Sequence, residues 1–242
     1  MRDALVCLGK DFKFYFASRM VYLLLVVYVI LTYGLLFFGS DIYENTMVNL
    51  GQFFVLQPKV FMVIIPALTM RSIIDEYKDR TLEIILSQPI SRLSFIAGKF
   101  TAAWFMCGLL LASSFILWII LSNIITLDNR WIFTNYFSTW LMCGGLCAIS
   151  LLAASLPRNI LGAFVLSLCF CALVVNVDLG WIADLFTSRS LLALKIAGSF
   201  NFMQQYGNMI SGQISLSAVL YFCSLSVFGI WSTGMVLDYK RR

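Results

Sequence analysis

From Met20 to Phe38 the chain carries no charged side chain, and comparable apolar runs recur all the way to its C-terminal end. A hydrocarbon core about 30 Å thick asks for roughly 20 consecutive apolar residues in a helix, because no water is present to satisfy a backbone that is not hydrogen-bonded to itself. Repeated runs of this kind lead to one fold class, an all-α polytopic membrane protein. Composition agrees: 61% of the 242 residues are hydrophobic and 12% charged, against roughly 45–50% apolar and about 25% charged in soluble domains. That balance excludes a soluble enzyme, and the length fits a single transmembrane domain over residues 1–242 with no attached soluble domain.

Six spans are expected. The first 19 residues place Arg2, Lys10, Lys13 and Arg19 among Leu5, Leu8, Phe12, Tyr15 and Phe16, a mixture suited to an amphipathic helix lying at the membrane interface. Span one follows from Met20 to Phe38; its length and the lack of a small-residue cleavage site separate it from a signal peptide. Span two runs from Val60 to Met70, with Pro58 at its start, Lys59 reaching for headgroups at its outer end and a kink at Pro66. Span three covers 98–121, span four 136–156, span five 160–177 and span six 217–237. Pro157, Arg158 and Asn159 make a tight turn between spans four and five. Between spans five and six, residues 178–215 form an outer segment, re-entrant or amphipathic, in which Leu191, Leu192, Leu194, Ile196, Ala197 and Phe200 can bury one face of a short helix.

Charge orients these spans. Of the 17 Lys and Arg residues, only Lys59, Arg130, Arg189 and Lys195 fall on segments assigned outside; the remainder lie at the two termini, at Arg158 and between Arg71 and Lys99. The positive-inside rule then puts both termini in the cytoplasm. The excess of basic residues is explained by this topology, and nucleic acid is not an expected partner.

Several chemistries have no support. There is no His, which removes the most common general base and metal ligand, and no metal site is expected. Cys107, Cys143, Cys147, Cys169, Cys171 and Cys223 all sit within apolar runs, so they and Cys7 are read as packing residues. Ionisable groups at mid-span depth, the mark of an ion path, are essentially lacking. No G-x-x-x-x-G-K-[ST] sequence occurs: Gly9-Lys10 continues into Asp11 and Gly98-Lys99 into Phe100. The chain is therefore not expected to be an enzyme or to bind a cofactor, and any ATP and Mg would sit on another subunit.

The cytoplasmic stretch from Pro66 to Lys99 is the most informative. An acidic and basic cluster leads to Thr81-Leu82-Glu83, then to Ile84-Ile85-Leu86, Pro89 and a basic return to the membrane. It reads equally as a solvated inner loop and as a docking element whose apolar residues enter a groove on a partner.

The order Pro66-Ala67-Leu68-Thr69-Met70-Arg71, Asp75-Glu76, Thr81-Leu82-Glu83, Pro89 and Gly98-Lys99 resembles the permease subunits of ABC-2 type ATP-binding-cassette transporters. It is most similar to the branch containing the gliding-motility permease GldF and the nitrous-oxide-reductase maturation permease NosY. The resemblance extends over the whole chain, including Phe200, Phe202 and Gly207 before span six. One departure is Arg80, where the family usually has Gly before the Thr-x-Glu triplet. The resemblance implies the ABC-2, type V exporter-like fold with both termini inside. It also implies an ATPase-coupling region over 71–97 that includes Asp75, Glu76, Arg80, Thr81, Leu82, Glu83 and Pro89. Partners implied are two copies of a P-loop ATPase, a second or related permease, membrane lipid and an auxiliary outer or membrane subunit. Gly144, Gly145 and Gly162, with Ala148 and Ala163, are small-residue faces for close helix packing or for the dimer, although such residues are frequent in any membrane bundle. Two alternatives stand beside this one: a membrane scaffold or assembly factor that moves nothing, and a haem-maturation permease of the CcmB kind.

Overall fold

The computed structural model describes residues 9, 12, 15–16, 18–39, 50–78, 92–122, 128–176, 201–212 and 215–241. Their regular structure is helical, with no strand among the described residues. The helices are α1 (Arg19–Gly39), α2 (Leu50–Lys78), α3 (Arg92–Ser113), α4 (Phe115–Ser122), α5 (Asn129–Ser155), α6 (Ile160–Asn176), α7 (Phe202–Ile210) and α8 (Leu216–Arg241). Four of them contain stretches long and apolar enough to cross a membrane: Gly51–Ile74, Leu93–Ser113, Asn129–Ser155 and Leu216–Tyr239. Arg19–Leu35 and Ile160–Asn176 are shorter apolar helices.

The bundle is organised around α5, which packs against α2, α3, α6, α7 and α8. Small residues make that possible. A Cβ on Gly145 would lie 2.9 Å from Leu225 of α8, and one on Gly229 would meet Ala148 of α5, including its backbone, at 2.7–2.9 Å. Without a hydrophobic drive between helices in lipid, such close approach supplies the van der Waals contact that holds them. The outward-facing side chains of α8 include Leu216, Leu220, Val227, Phe228, Trp231 and Met235.

Several element boundaries differ from expectation, each for a local reason. Pro58 does not start its helix. α2 begins at Leu50 and runs through Pro58 and Pro66, which carries Lys59 about 13 Å along the helix from its first residue, with its side chain exposed. A proline inside a helix removes the N–H that would bond the carbonyl four residues earlier. Here that carbonyl belongs to Phe54, and the Tyr206 hydroxyl of α7 donates to it at 2.9 Å. The same hydroxyl pairs with Thr139 Oγ1 at 2.9 Å, so one tyrosine joins α7, α2 and α5.

The helix expected to begin at Tyr136 starts seven residues earlier, because Asp128 caps it: its carboxylate accepts from the Arg130 N–H at 3.0 Å. These two charged residues, which look like a loop, are a helix start. Span three begins at Arg92 and is broken at Ser114, whose N–H and Oγ both turn back to the Leu111 carbonyl, at 3.0 and 2.6 Å. The tight turn between α5 and α6 is present, and α6 opens with the Ala163 N–H donating to the Asn159 carbonyl. The short outer helix expected over 191–200 lies outside the described residues. The helix found nearby is α7, capped by Asn201, which accepts from the Met203 and Gln204 N–H groups, and it buries Phe202, Gln205, Tyr206 and Met209.

The Pro58 and Tyr206 pairing gives a double-mutant test. Tyr206→Phe is expected to lower stability in detergent by about 1–3 kcal/mol, the cost of leaving a buried carbonyl unpaired. In a Pro58→Ala background the restored N–H takes over that carbonyl, and the cost of Tyr206→Phe shrinks. Unfolding midpoints of the four proteins check this, and strictly additive losses would contradict it.

Candidate functional site

Asp75 and Glu76, two of the residues expected to couple to an ATPase, are carried on the final turns of α2, although their side chains lie outside the described residues. Arg80, Thr81, Leu82, Glu83 and Pro89 lie wholly outside them. α2 has 29 residues, about 43 Å of helix at 1.5 Å per residue, against a hydrocarbon core of about 30 Å. Its apolar stretch, Gly51–Ile74, ends just before Asp75 and Glu76.

Polar links tie α2 to its neighbours along its length. Near its start is the Tyr206 link. Further on, Thr69 Oγ1 donates to the Ile65 carbonyl at 3.0 Å and meets Ser150 Oγ of α5, while Ser167 of α6 donates to the Ser150 carbonyl at 3.1 Å. At the last turns, Lys99 of α3 donates to the Ser72 carbonyl and lies 3.4 Å from Ser72 Oγ. Lys99 is 3% exposed, with its ammonium 5.0 Å from the centre of the Phe95 ring. Lys99, expected at the start of span three, is thus enclosed within the bundle rather than solvated. The signal was there: it sits in Ser94-Phe95-Ile96-Ala97-Gly98-Lys99-Phe100-Thr101, a helical sequence with no neighbouring charge.

The expected small-residue positions occupy tight contacts within this chain. A Cβ on Gly144 would lie 3.1 Å from the Trp104 indole nitrogen, and one on Gly162 would lie 3.2 Å from Pro157. Gly144 belongs to a pattern not anticipated. Trp104-Phe105-Met106-Cys107-Gly108 on α3 and Trp140-Leu141-Met142-Cys143-Gly144 on α5 are near copies. The two helices cross antiparallel at these segments. The indoles stack with centres 4.3 Å apart and planes 9° from parallel, and each lies over the glycine of the other segment. Trp104 Nε1 donates to the Trp140 carbonyl at 2.8 Å, and Trp140 Nε1 to the Trp104 carbonyl at 3.4 Å. Cys107 and Cys147 bring their sulfurs to 3.6 Å beside this crossing. Among the described residues no group of three or more His, Cys, Asp or Glu is arranged to hold a metal ion.

Above the Trp crossing, on the outer face of α3, α4 and α5, an apolar groove of about 510 Å³ is lined by Phe105, Gly108, Ala112, Phe115, Tyr136 and Trp140, among others. Behind it lies a polar cluster unusual for so apolar a bundle. The Tyr136 hydroxyl is 3.1 Å from Ser114 Oγ and 3.2 Å from the Ser114 carbonyl, to which it donates. Tyr28 of α1 donates to Gln57 Oε1 of α2 at 3.3 Å and lies near Ser114 and Thr32. Gln57 Nε2 and both side-chain polar atoms of Asn135 are enclosed without a hydrogen-bond partner.

No family model matches the chain, and no curated protein matches it.

The Trp crossing carries its own test. Gly108→Ala puts a Cβ 2.8 Å from Trp140 Nε1 and is expected to cost about 1–3 kcal/mol through displacement of the indole. Gly34→Ala, with open space around it, is expected to be neutral or slightly stabilising. Thermal unfolding with tryptophan fluorescence distinguishes the two variants, and equal midpoints would contradict the packing argument.

Proposed function

We propose that this chain is the membrane subunit of an ABC-2 type ATP-binding-cassette transporter. In this reading it has six spans and cytoplasmic termini, lies in a bacterial inner membrane, pairs with a second permease and is driven by two copies of a separate P-loop ATPase. The resemblance in the 66–99 segment supplies the family. The observation that supports it best is the form of α2, a single helix that runs from the Tyr206 link to Asp75 and Glu76 and is fastened to α7, α5 and α3 on the way.

In mechanical terms, ATP binding draws the two ATPases together and displaces the coupling segment over 71–97. Because α2 continues into that segment without a break, the displacement reaches the bundle as a tilt of α2. The links at Lys99, Ser150 and Tyr206 pass it to α3, α5 and α7. Work is then done on an amphipathic cargo moved outward, or on an outer partner to which force is transmitted. No carboxylate lies in the interior of the described spans, where the charged side chains away from the ends are basic, Lys59 and Lys99, and this favours these over ion-coupled transport.

A mild-detergent pull-down of the chain from its native membrane is expected to bring down a P-loop ATPase. Charge reversal at both Glu76→Arg and Glu83→Arg is expected to reduce that recovery and the associated ATP hydrolysis. Recovery of other membrane proteins but no ATPase would replace this reading with the scaffold.

A further inference from the structure

Among the described residues Lys99 is the charged side chain that lies buried, at 3% exposed. Its ammonium meets the carbonyl and the hydroxyl of Ser72 on α2 and the face of the Phe95 ring. Ser72 is buried too, at 6% exposed, and lies two residues before Ile74, where the apolar stretch of α2 ends. Neutral oxygens and an aromatic ring solvate a positive charge without cancelling it. An enclosed ion is costly unless an opposite charge stands close by.

Helix register shows which acids α2 brings to this point. In a helix, the side chains three and four residues further on start beside a given carbonyl. Thr69 Oγ1 reaches the Ile65 carbonyl at 3.0 Å on this same helix, Thr101 Oγ1 reaches that of Ala97 at 2.8 Å, and Ser113 Oγ reaches that of Leu110 at 2.6 Å. For the Ser72 carbonyl these positions are Asp75 and Glu76, both within the helical span of α2. The carbonyl that Lys99 holds is therefore the one flanked by the two acidic positions. Asp128 caps α5 at the opposite end of the bundle, where Trp131 meets Phe54. Asp238 of α8 is the rival, because its neighbour Leu237 packs with Phe95 and Ile96, but Asp238 is exposed.

We propose that Lys99 is a positioning residue for Asp75 and Glu76: this acidic pair supplies its countercharge, and the ionic contact clamps the end of α2 to α3. The clamp does not depend on the transporter reading, although its use does. Under that reading, displacement of the coupling segment pulls on α3 as directly as on α2.

The test uses the full chain in detergent with no ATPase present, so its failure would leave the transporter reading in place, and a pull-down that brings no ATPase would leave the clamp in place. Thermal unfolding midpoints are compared for Asp75→Asn with Glu76→Gln, made in the unaltered chain and in a Lys99→Met background. With Lys99 present, the double neutralisation is expected to lower the midpoint by several degrees, because it strands a buried charge. With Lys99→Met the same change is expected to lower it far less. Asp238→Asn is expected to have the same small effect in both backgrounds. If the double neutralisation yields no folded protein, recovery of folding on adding Lys99→Met is the expected result, and failure in both backgrounds overturns the proposal. So do equal losses in the two backgrounds, no loss in either, or a Lys99-dependent loss seen with Asp238→Asn instead.

Discussion

The Tyr206 hydroxyl and the Phe54 carbonyl meet in a setting where water is not available to replace either. In hydrocarbon a peptide carbonyl without a donor costs several kcal/mol, so a proline in the interior of a spanning helix is stabilised where another group takes the place of its missing N–H. Pro58 sets that requirement, and α7 meets it from about 150 residues further along the chain. The long form of α2 follows, since the helix is free to pass through Pro58 without ending. The packing of α2 on α5 is fixed at the same point by Thr139.

The remaining polar contacts repeat this logic in weaker form. Thr69, Ser150 and Ser167 join α2, α5 and α6, and Ser114 with Tyr136 joins the α3 break to α5. Interhelical hydrogen bonds of this kind contribute about 0.6 kcal/mol each in membranes. Their value lies as much in register as in strength, because a slide of one helix would separate several pairs at once. Lys99 is the strongest of these links, a charge enclosed among helices and held by the backbone of α2. It sits where the proposed mechanism needs α2 and α3 to move together.

Uninterrupted apolar runs were legible from the letters, so α1, α6 and α8 fall close to where hydropathy puts them, and the α5–α6 turn at Pro157 was also readable. Boundaries failed where a polar residue had two possible roles. Asp128 and Arg130 look like a loop and act as a helix cap; Gln57, Pro58 and Lys59 look like a helix start and lie inside one, because the compensating Tyr206 is remote in sequence. The Trp-x-Met-Cys-Gly repeat was visible as letters, but its meaning depends on two helices crossing antiparallel, which local periodicity does not reveal. Burial of Gln57, Thr32 and Lys99 is likewise a property of neighbours rather than of spacing. The coupling residues beyond Lys78 rest on the resemblance alone, since they lie outside the described residues.

The most direct test of α2 as the element that carries motion from an ATPase into the bundle is hydrogen exchange, measured by mass spectrometry on the complex in its native membrane with and without a non-hydrolysable ATP analogue. The account predicts that nucleotide alters exchange both at the final turns of α2, around Ser72 to Lys78, and at α7 around Tyr206. Exchange in both places that is the same with and without nucleotide, in a preparation whose ATPase binds the analogue, would contradict it.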